Sequence, residues 1–141
     1  AAAEYSKRIS GYANIEIVEL KESKLPANPS ASDENAVLIR EGQNILSKIK
    51  DNDHVIAMEV EGEQLDSVEL AKKIQHAFDT KSSTIDFVVG GSLGLSDEVK
   101  KRADYGLSFS KLTFPHQMAR IMLLEQIYRA FKINSGETYH K

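Results

Sequence analysis

Three short apolar runs, HVIAMEV (54–60), TIDFVVGG (84–91) and YGLSFSKL (105–112), are each separated from the next by one helical segment. This alternation constrains the fold most, because strands interleaved with helices pack as an α/β domain around a largely parallel sheet. A turn at EGEQ and the amphipathic segment DSVELAKKIQHAF join the first two runs, and a short helix with Ser96 as its N-cap joins the last two. Pro115, at a first helical position, opens a long helix that runs to about Ile133. Upstream, NIEIVEL (Asn14 to Leu20) alternates like a strand and follows a helical stretch around Tyr5 to Ile9. KESKLPANPSAS, with two prolines and several serines, reads as a loop. Beyond it a helix capped by Ser32 puts Val37, Leu38, Ile45, Leu46 and Ile49 on one face.

At 141 residues and 41% hydrophobic, one domain spanning residues 1–141 around one core is expected. No apolar run approaches the ~20 residues of a membrane helix, and AAAEYSKRIS lacks a signal-peptide apolar region. The expectation is a soluble, cytoplasmic protein with no membrane partner. There is no cysteine, which excludes disulfides, thiolate nucleophiles and cysteine metal sites. Four scattered histidines show no HxxxH or similar spacing, so neither a metal centre nor a metal-dependent hydrolase is expected.

The net charge of -3 argues mildly against nucleic acid as a partner, but it is unevenly spread. Residues 1–99 carry 10 basic and 18 acidic side chains, and residues 100–141 carry 8 basic and 3 acidic. A polyanion would therefore meet the C-terminal third.

Three strand ends offer loops for chemistry: Met58 to Gly62, Val89 to Leu95 and Leu107 to Phe114. In open α/β sheets the ligand crevice lies at the carboxyl ends of the strands. Gly90, Gly91 and Gly94 permit close approach of a ring or ribose to the backbone, yet GGSLG matches neither GxGxxG nor the phosphate loop, and as spacing alone an ordinary tight turn explains it better. His116 at the start of the last helix is a candidate for orienting a ligand, against the commoner case of a structural histidine. Glu125 and Arg129 are spaced to pair on one helix face. Met118, Ile121, Met122, Leu124, Ile127, Tyr128 and Phe131 make that helix apolar on more than one side, as at a subunit interface or in a fully internal helix.

FVVGGSLGLS and LSFSKLTFPHQMARIMLLEQIYRAFKINSGETYHK together resemble the ribosomal RNA large subunit methyltransferase H family, pseudouridine N3-methyltransferases of the SPOUT class. The similarity spans nearly the whole chain and is most specific from Phe87 to Lys141. It implies an α/β fold with a mostly parallel sheet, helices on both faces and a C-terminal trefoil knot, which general topology rules disfavour. It also implies a homodimer that uses S-adenosyl-L-methionine to methylate N3 of a pseudouridine in 23S rRNA on assembled ribosomes. By the same resemblance, Met58, Gly90, Phe109, Ser110, Lys111, Leu112, Thr113 and Phe114 hold the cofactor, with Met58 standing where the family often has leucine. Glu125, Arg129 and His140 fall at positions used near the target base, and Arg129, Tyr139 and Lys141 would contact RNA. Some members end in arginine where Lys141 stands, and members begin with a strand and basic loop that would precede AAAEYSKR. A knotted transfer-RNA methyltransferase, or a non-catalytic dimeric module that binds adenosyl ligands, are the alternative readings.

Overall fold

The computed structural model describes residues 1–137, in the order α1 (Ala2–Ile9), α2 (Ala31–Leu46), β1 (His54–Gln64), α3 (Ser67–Thr80), β2 (Ile85–Val88), α4 (Asp97–Arg102), β3 (Tyr105–Ser108) and α5 (His116–Asn134). The three strands form one parallel sheet in the order β2-β1-β3. His54 to Ala57 pair with Ile85 to Val88 on one side, and Ile56 to Met58 pair with Tyr105 to Leu107 on the other.

The two-residue period of β1 sorts its side chains between two cores. Ile56 faces a cluster with Leu70, Ala71 and Ile74 of α3, Leu107 of β3 and Ala130 of α5. Val55 and Ala57 point the other way, with Val88, Leu95 and Val99, toward Ile45, Leu46 and Ile49 from the end of α2. The parallel sheet is thus covered on both faces, as the alternating sequence requires. Ile56 and Ile74 are essentially fully buried, and each such side chain contributes roughly 1.5–3 kcal/mol by leaving water. A third cluster joins Ile9 of α1 to Leu123, Leu124, Ile127 and Tyr128 of α5. The broad apolar surface of α5 is therefore met on two sides within the chain, by α3 and α1. Its first turn is not covered: Met118 is 51% exposed.

Local chemistry sets the helix ends. Ser30 and Asp33 form a reciprocal capping box on α2, and Asp66 and Glu69 form another on α3. Ser96 caps α4 as expected, its hydroxyl accepting from the Val99 amide. For α2 the expected cap at Ser32 is displaced two residues upstream, because only Ser30 has an acidic residue three positions on to complete the box.

Other boundaries differ as well. Asn14 to Leu20 form no strand: the segment is paired to no other strand among the described residues, and β-branched alternation without a hydrogen-bonding neighbour does not make a sheet. Ile15 packs on the α1–α5 cluster while Ile17 and Val18 remain exposed. EGEQ is not a turn but the end of β1, whose pairing with β3 skips from Met58 to Glu63 at Leu107. The third strand stops at Ser108, where the serine hydroxyl bonds to the Ser110 carbonyl and the chain leaves the sheet. Pro115 is the N-cap of α5, one position before the place expected of it.

Candidate active site

In the order β2-β1-β3 the chain crosses from one side of β1 to the other between its second and third strands. A doubly wound sheet opens its crevice at such a reversal, beyond the carboxyl ends of the strands. The chain around Met58, the glycine loop after Val88 and the loop after Ser108 lie at those ends.

Met58 is half-buried between the α3–α5 and α1–α5 clusters, so its thioether helps form an apolar floor. Residues 59–62 loop out of register, and Gly62 rejoins β3 with its Cα against the backbone of Gly106; a Cβ there would lie 2.8 Å from the Gly106 carbonyl. The loop after β2 is equally tight. Gly91 and Gly94 form an isolated bridge, the Gly94 amide donates to the Gly91 carbonyl at 3.0 Å, and Gly94 has φ +82°. A Cβ on Gly90 would lie 2.6 Å from the Gly94 carbonyl. Glycine is needed at Gly90 for close approach and at Gly94 for its left-handed backbone.

The third loop begins at Phe109, which packs on the α1–α5 cluster. The Ser110 hydroxyl accepts from the Leu112 amide at 3.1 Å, while the Ser110 carbonyl accepts from Ser108. These two bonds shape residues 108–112 without a sheet ladder. Lys111, Leu112 and Thr113 are exposed and Phe114 is half-buried, so the loop turns an amphipathic surface outward.

The structure groups Met58, Gly90 and the residues from Phe109 to Phe114 at one end of the sheet, and Glu125 and Arg129 lie on the stretch of α5 whose Leu124, Ile127 and Tyr128 belong to the cluster on which Met58 and Phe109 pack. Helical rise places Glu125 about 14 Å along the axis from His116. Arg129 donates to Glu125 through Nε (3.0 Å to Oε1) and through Nη2, and Gln126 donates to Glu125 Oε2 at 3.0 Å. Gln126 in turn accepts from Ser67 of α3, fixing the pair to the neighbouring helix. Tyr139, His140 and Lys141 lie outside the described residues.

Sequence reasoning missed the acidic rim of the glycine loop. A Cβ on Gly91 would meet Glu22 and Glu41 carboxylate oxygens, each at 3.3 Å. Glu41 accepts from the Ser23 amide, and Glu22 lies 3.4 Å from His116 Nε2. His116 thus faces a carboxylate of the 14–25 segment, and Arg120 pairs with Glu19 of the same segment. No local spacing could have signalled contacts that span about a hundred residues.

Two cavities lie away from these loops. One, of about 340 Å³, is lined by Lys21, Glu22, Ser23, Lys24, Arg40 and Asn44 and reaches the site only through Glu22. The other, of about 370 Å³, opens at the amino ends of β1 and β3. The strand-end loops rank above both as a site because their glycine and apolar chemistry converges at the sheet reversal. Among the described residues no group of histidine and carboxylate side chains could hold a metal ion, and no helix is long and apolar enough to cross a membrane.

Residues 1–140 match the family model described as "Predicted SPOUT methyltransferase". The chain is 55% identical over 141 residues to "Ribosomal RNA large subunit methyltransferase H 1" of Clostridium perfringens strain SM101, covering 100% of this chain and 89% of that protein. It is 53% identical over 138 residues to "Ribosomal RNA large subunit methyltransferase H" of Clostridioides difficile strain 630, covering 98% and 87%. A protein of the same name from Clostridium botulinum strain Kyoto is 52% identical over 141 residues, covering 100% and 89%.

Proposed function

The chain belongs to the SPOUT methyltransferase family, and from that premise we propose that it methylates N3 of a pseudouridine in 23S rRNA with S-adenosyl-L-methionine as donor. The observation that carries this reading is the convergence of Met58, Gly90 and the 109–114 loop at the sheet reversal, in a chain more than half identical to proteins named for large-subunit rRNA methylation.

The residues at the strand ends suit an adenosyl ligand. Backbone packed against backbone at Gly90 and Gly94 leaves a surface without side chains, against which a purine or ribose can lie. Met58 and Phe109 supply apolar contact, and the polar groups of Ser110 to Thr113 offer hydrogen bonds. When bound, the cofactor supplies an electrophilic methyl group on a sulfonium. The chain's own task is to orient the acceptor nitrogen and exclude water, and orientation alone offsets ~7–11 kcal/mol of such a barrier.

The imide proton on N3 must leave as the new N–C bond forms. Glu125 already accepts from Arg129 and Gln126, an arrangement suited to positioning, so we assign proton acceptance to His140 and the holding of RNA phosphate to Arg129 and Lys141, with Tyr139 beside the base. This assignment fits a homodimer in which the Glu125–Arg129 pair of one subunit faces the loops of its partner. The exposed start of α5, at Met118, and the exposed Leu112 support that reading. Family membership supports the trefoil knot and action on the assembled ribosome in the same way.

The test is transfer of radiolabelled methyl groups to intact ribosomes, separated subunits and bulk transfer RNA from cells lacking this protein. Label confined to large-subunit RNA of whole ribosomes supports the proposal. Label in transfer RNA moves the activity to another RNA, and cofactor binding without any transfer leaves a binding module.

A further inference from the structure

At the opposite end of the sheet from the methyl-transfer loops, His54, Lys73, His76, Lys81, Asp104 and Tyr105 surround a cavity of about 370 Å³, with buried Ala77 as its wall. This size lies at the lower end of small-ligand pockets. Neither Lys73 nor Lys81 makes an ion pair among the described residues. Lys73 instead holds its ammonium 3.8 Å above the centre of the Tyr105 ring.

Asp104 is the carboxylate among the lining residues, and Glu63 and Glu69 lie close enough to act on the Tyr105 hydroxyl. Asp104 Oδ2 accepts from the Val55 amide at 2.8 Å and from Arg102 at 3.3 Å, so part of its charge is countered, and His54 Nδ1 lies 3.7 Å from the same oxygen. Two carbonyls near the end of α3 are occupied: that of Ala77 accepts from the Lys81 and Ser82 amides, and that of His76 from the Thr80 hydroxyl. Two lysines and two histidines line the cavity beside Asp104 and Tyr105. The site is thus rich in donors, and its carboxylate is occupied.

We propose that this cavity binds a phosphate group, delivered either by an RNA backbone or by free phosphate. Lys73 and Lys81 supply the charge and His54 the directional donor, four residues of β1 and about 13 Å from Met58. His54 reports the field of the site. Burial lowers its pKa, Asp104 raises it, and Lys81, Lys73 and Arg102 lower it further. A bound dianion reverses the contribution of the lysines and draws a proton onto the ring.

The site does not depend on the identity of the methylated base, so its test is separate from the methyl-transfer assay. Inorganic phosphate is titrated into the whole protein while the imidazole signals of His54 and His76 are followed by NMR, with chloride at equal ionic strength as control. Phosphate is expected to shift the His54 signals saturably and to raise its apparent pKa. The double variant Lys73→Gln, Lys81→Gln should weaken phosphate binding by about tenfold or more while lowering the unfolding temperature by no more than about 5 °C, the loss of the Lys73–Tyr105 contact. Short single-stranded RNA that competes with phosphate identifies the backbone as the source, and binding without competition identifies free phosphate. No saturable shift, or an equal shift in the double variant, overturns the proposal.

Discussion

Gly62 and Gly106 meet backbone to backbone where the out-of-register excursion of β1 rejoins β3, leaving no room for a side chain at Gly62. Leu107, the next residue of β3, pairs with both Met58 and Glu63, so this contact fixes the loop that closes one side of the candidate site. Gly62→Ala is expected to lower the unfolding temperature by about 3–10 °C, the range that ~1–3 kcal/mol of overpacking produces in a domain this size. Gly11→Ala, whose Cβ would sit an ordinary 3.5 Å from the Arg8 carbonyl, serves as control in the same thermal scan. Equal stability of the two variants would show that the β1 excursion can give way.

Gly90 has the same constraint in the loop assigned to the methyl donor, since a Cβ would press on the Gly94 carbonyl at 2.6 Å. Gly90→Ala is therefore expected to weaken S-adenosylmethionine binding by about tenfold or more, a change of ~1.4 kcal/mol by calorimetry. Unchanged affinity would remove the glycine loop from the cofactor site.

Glu125 and Arg129 have side chains only 18% and 21% exposed. Arg129→Met takes the guanidinium donors from a half-buried carboxylate and should cost about 1–2 kcal/mol, less than the 3–5 of a fully buried pair. Glu125→Gln keeps the shape but removes the charge. It should lower the single-turnover methylation rate by about tenfold while leaving cofactor affinity within about twofold. A normal rate in Glu125→Gln would leave the pair a purely structural role.

Asp86 has a buried oxygen, Oδ2, with no hydrogen-bond partner, beside the carboxyl of Asp53. Burial first, and then Asp53, push its pKa up to about 7, so a proton retained on Asp86 supplies the donor that two carboxylates lack. The folded form then holds a proton that the unfolded chain releases above its ordinary 3.8. The resulting stability is full below about pH 4 and is lost as pH rises through about 7. Asp53 runs the other way, its pKa lowered chiefly because the proton retained on Asp86 is donated to it. Asp86→Asn should raise the unfolding temperature at pH 8 by about 2–4 °C and flatten its fall between pH 5 and 8. A wild-type profile already flat over that interval would contradict the shared proton.

The alternation of strands and helices, the Ser96 cap and the long final helix were legible because each follows from residues within a few positions of one another, whereas helices on both faces of the sheet were expected from the resemblance. Met58, Gly90 and the 109–114 loop were singled out by resemblance as well as by their place after strands, and the sheet gathers them at one end. The Glu125–Arg129 pair was legible from its i,i+4 spacing, and the structure forms it. The strand expected at Asn14 to Leu20 failed because alternation specifies a face but not a neighbour to pair with.

By itself, then, the sequence determined the periodicities, the caps, the glycines that admit close backbone contact and the uneven charge. Tertiary structure alone decided that β1 is central with β2 and β3 on its two sides, that β1 slips register against Leu107, and that Glu22 and Glu41 border Gly91. It also decided that Lys73 and Lys81 face a cavity near a carboxylate already engaged by Arg102. These are relations between segments far apart in the chain, set by which surfaces meet when the cores close, and no local pattern encodes them.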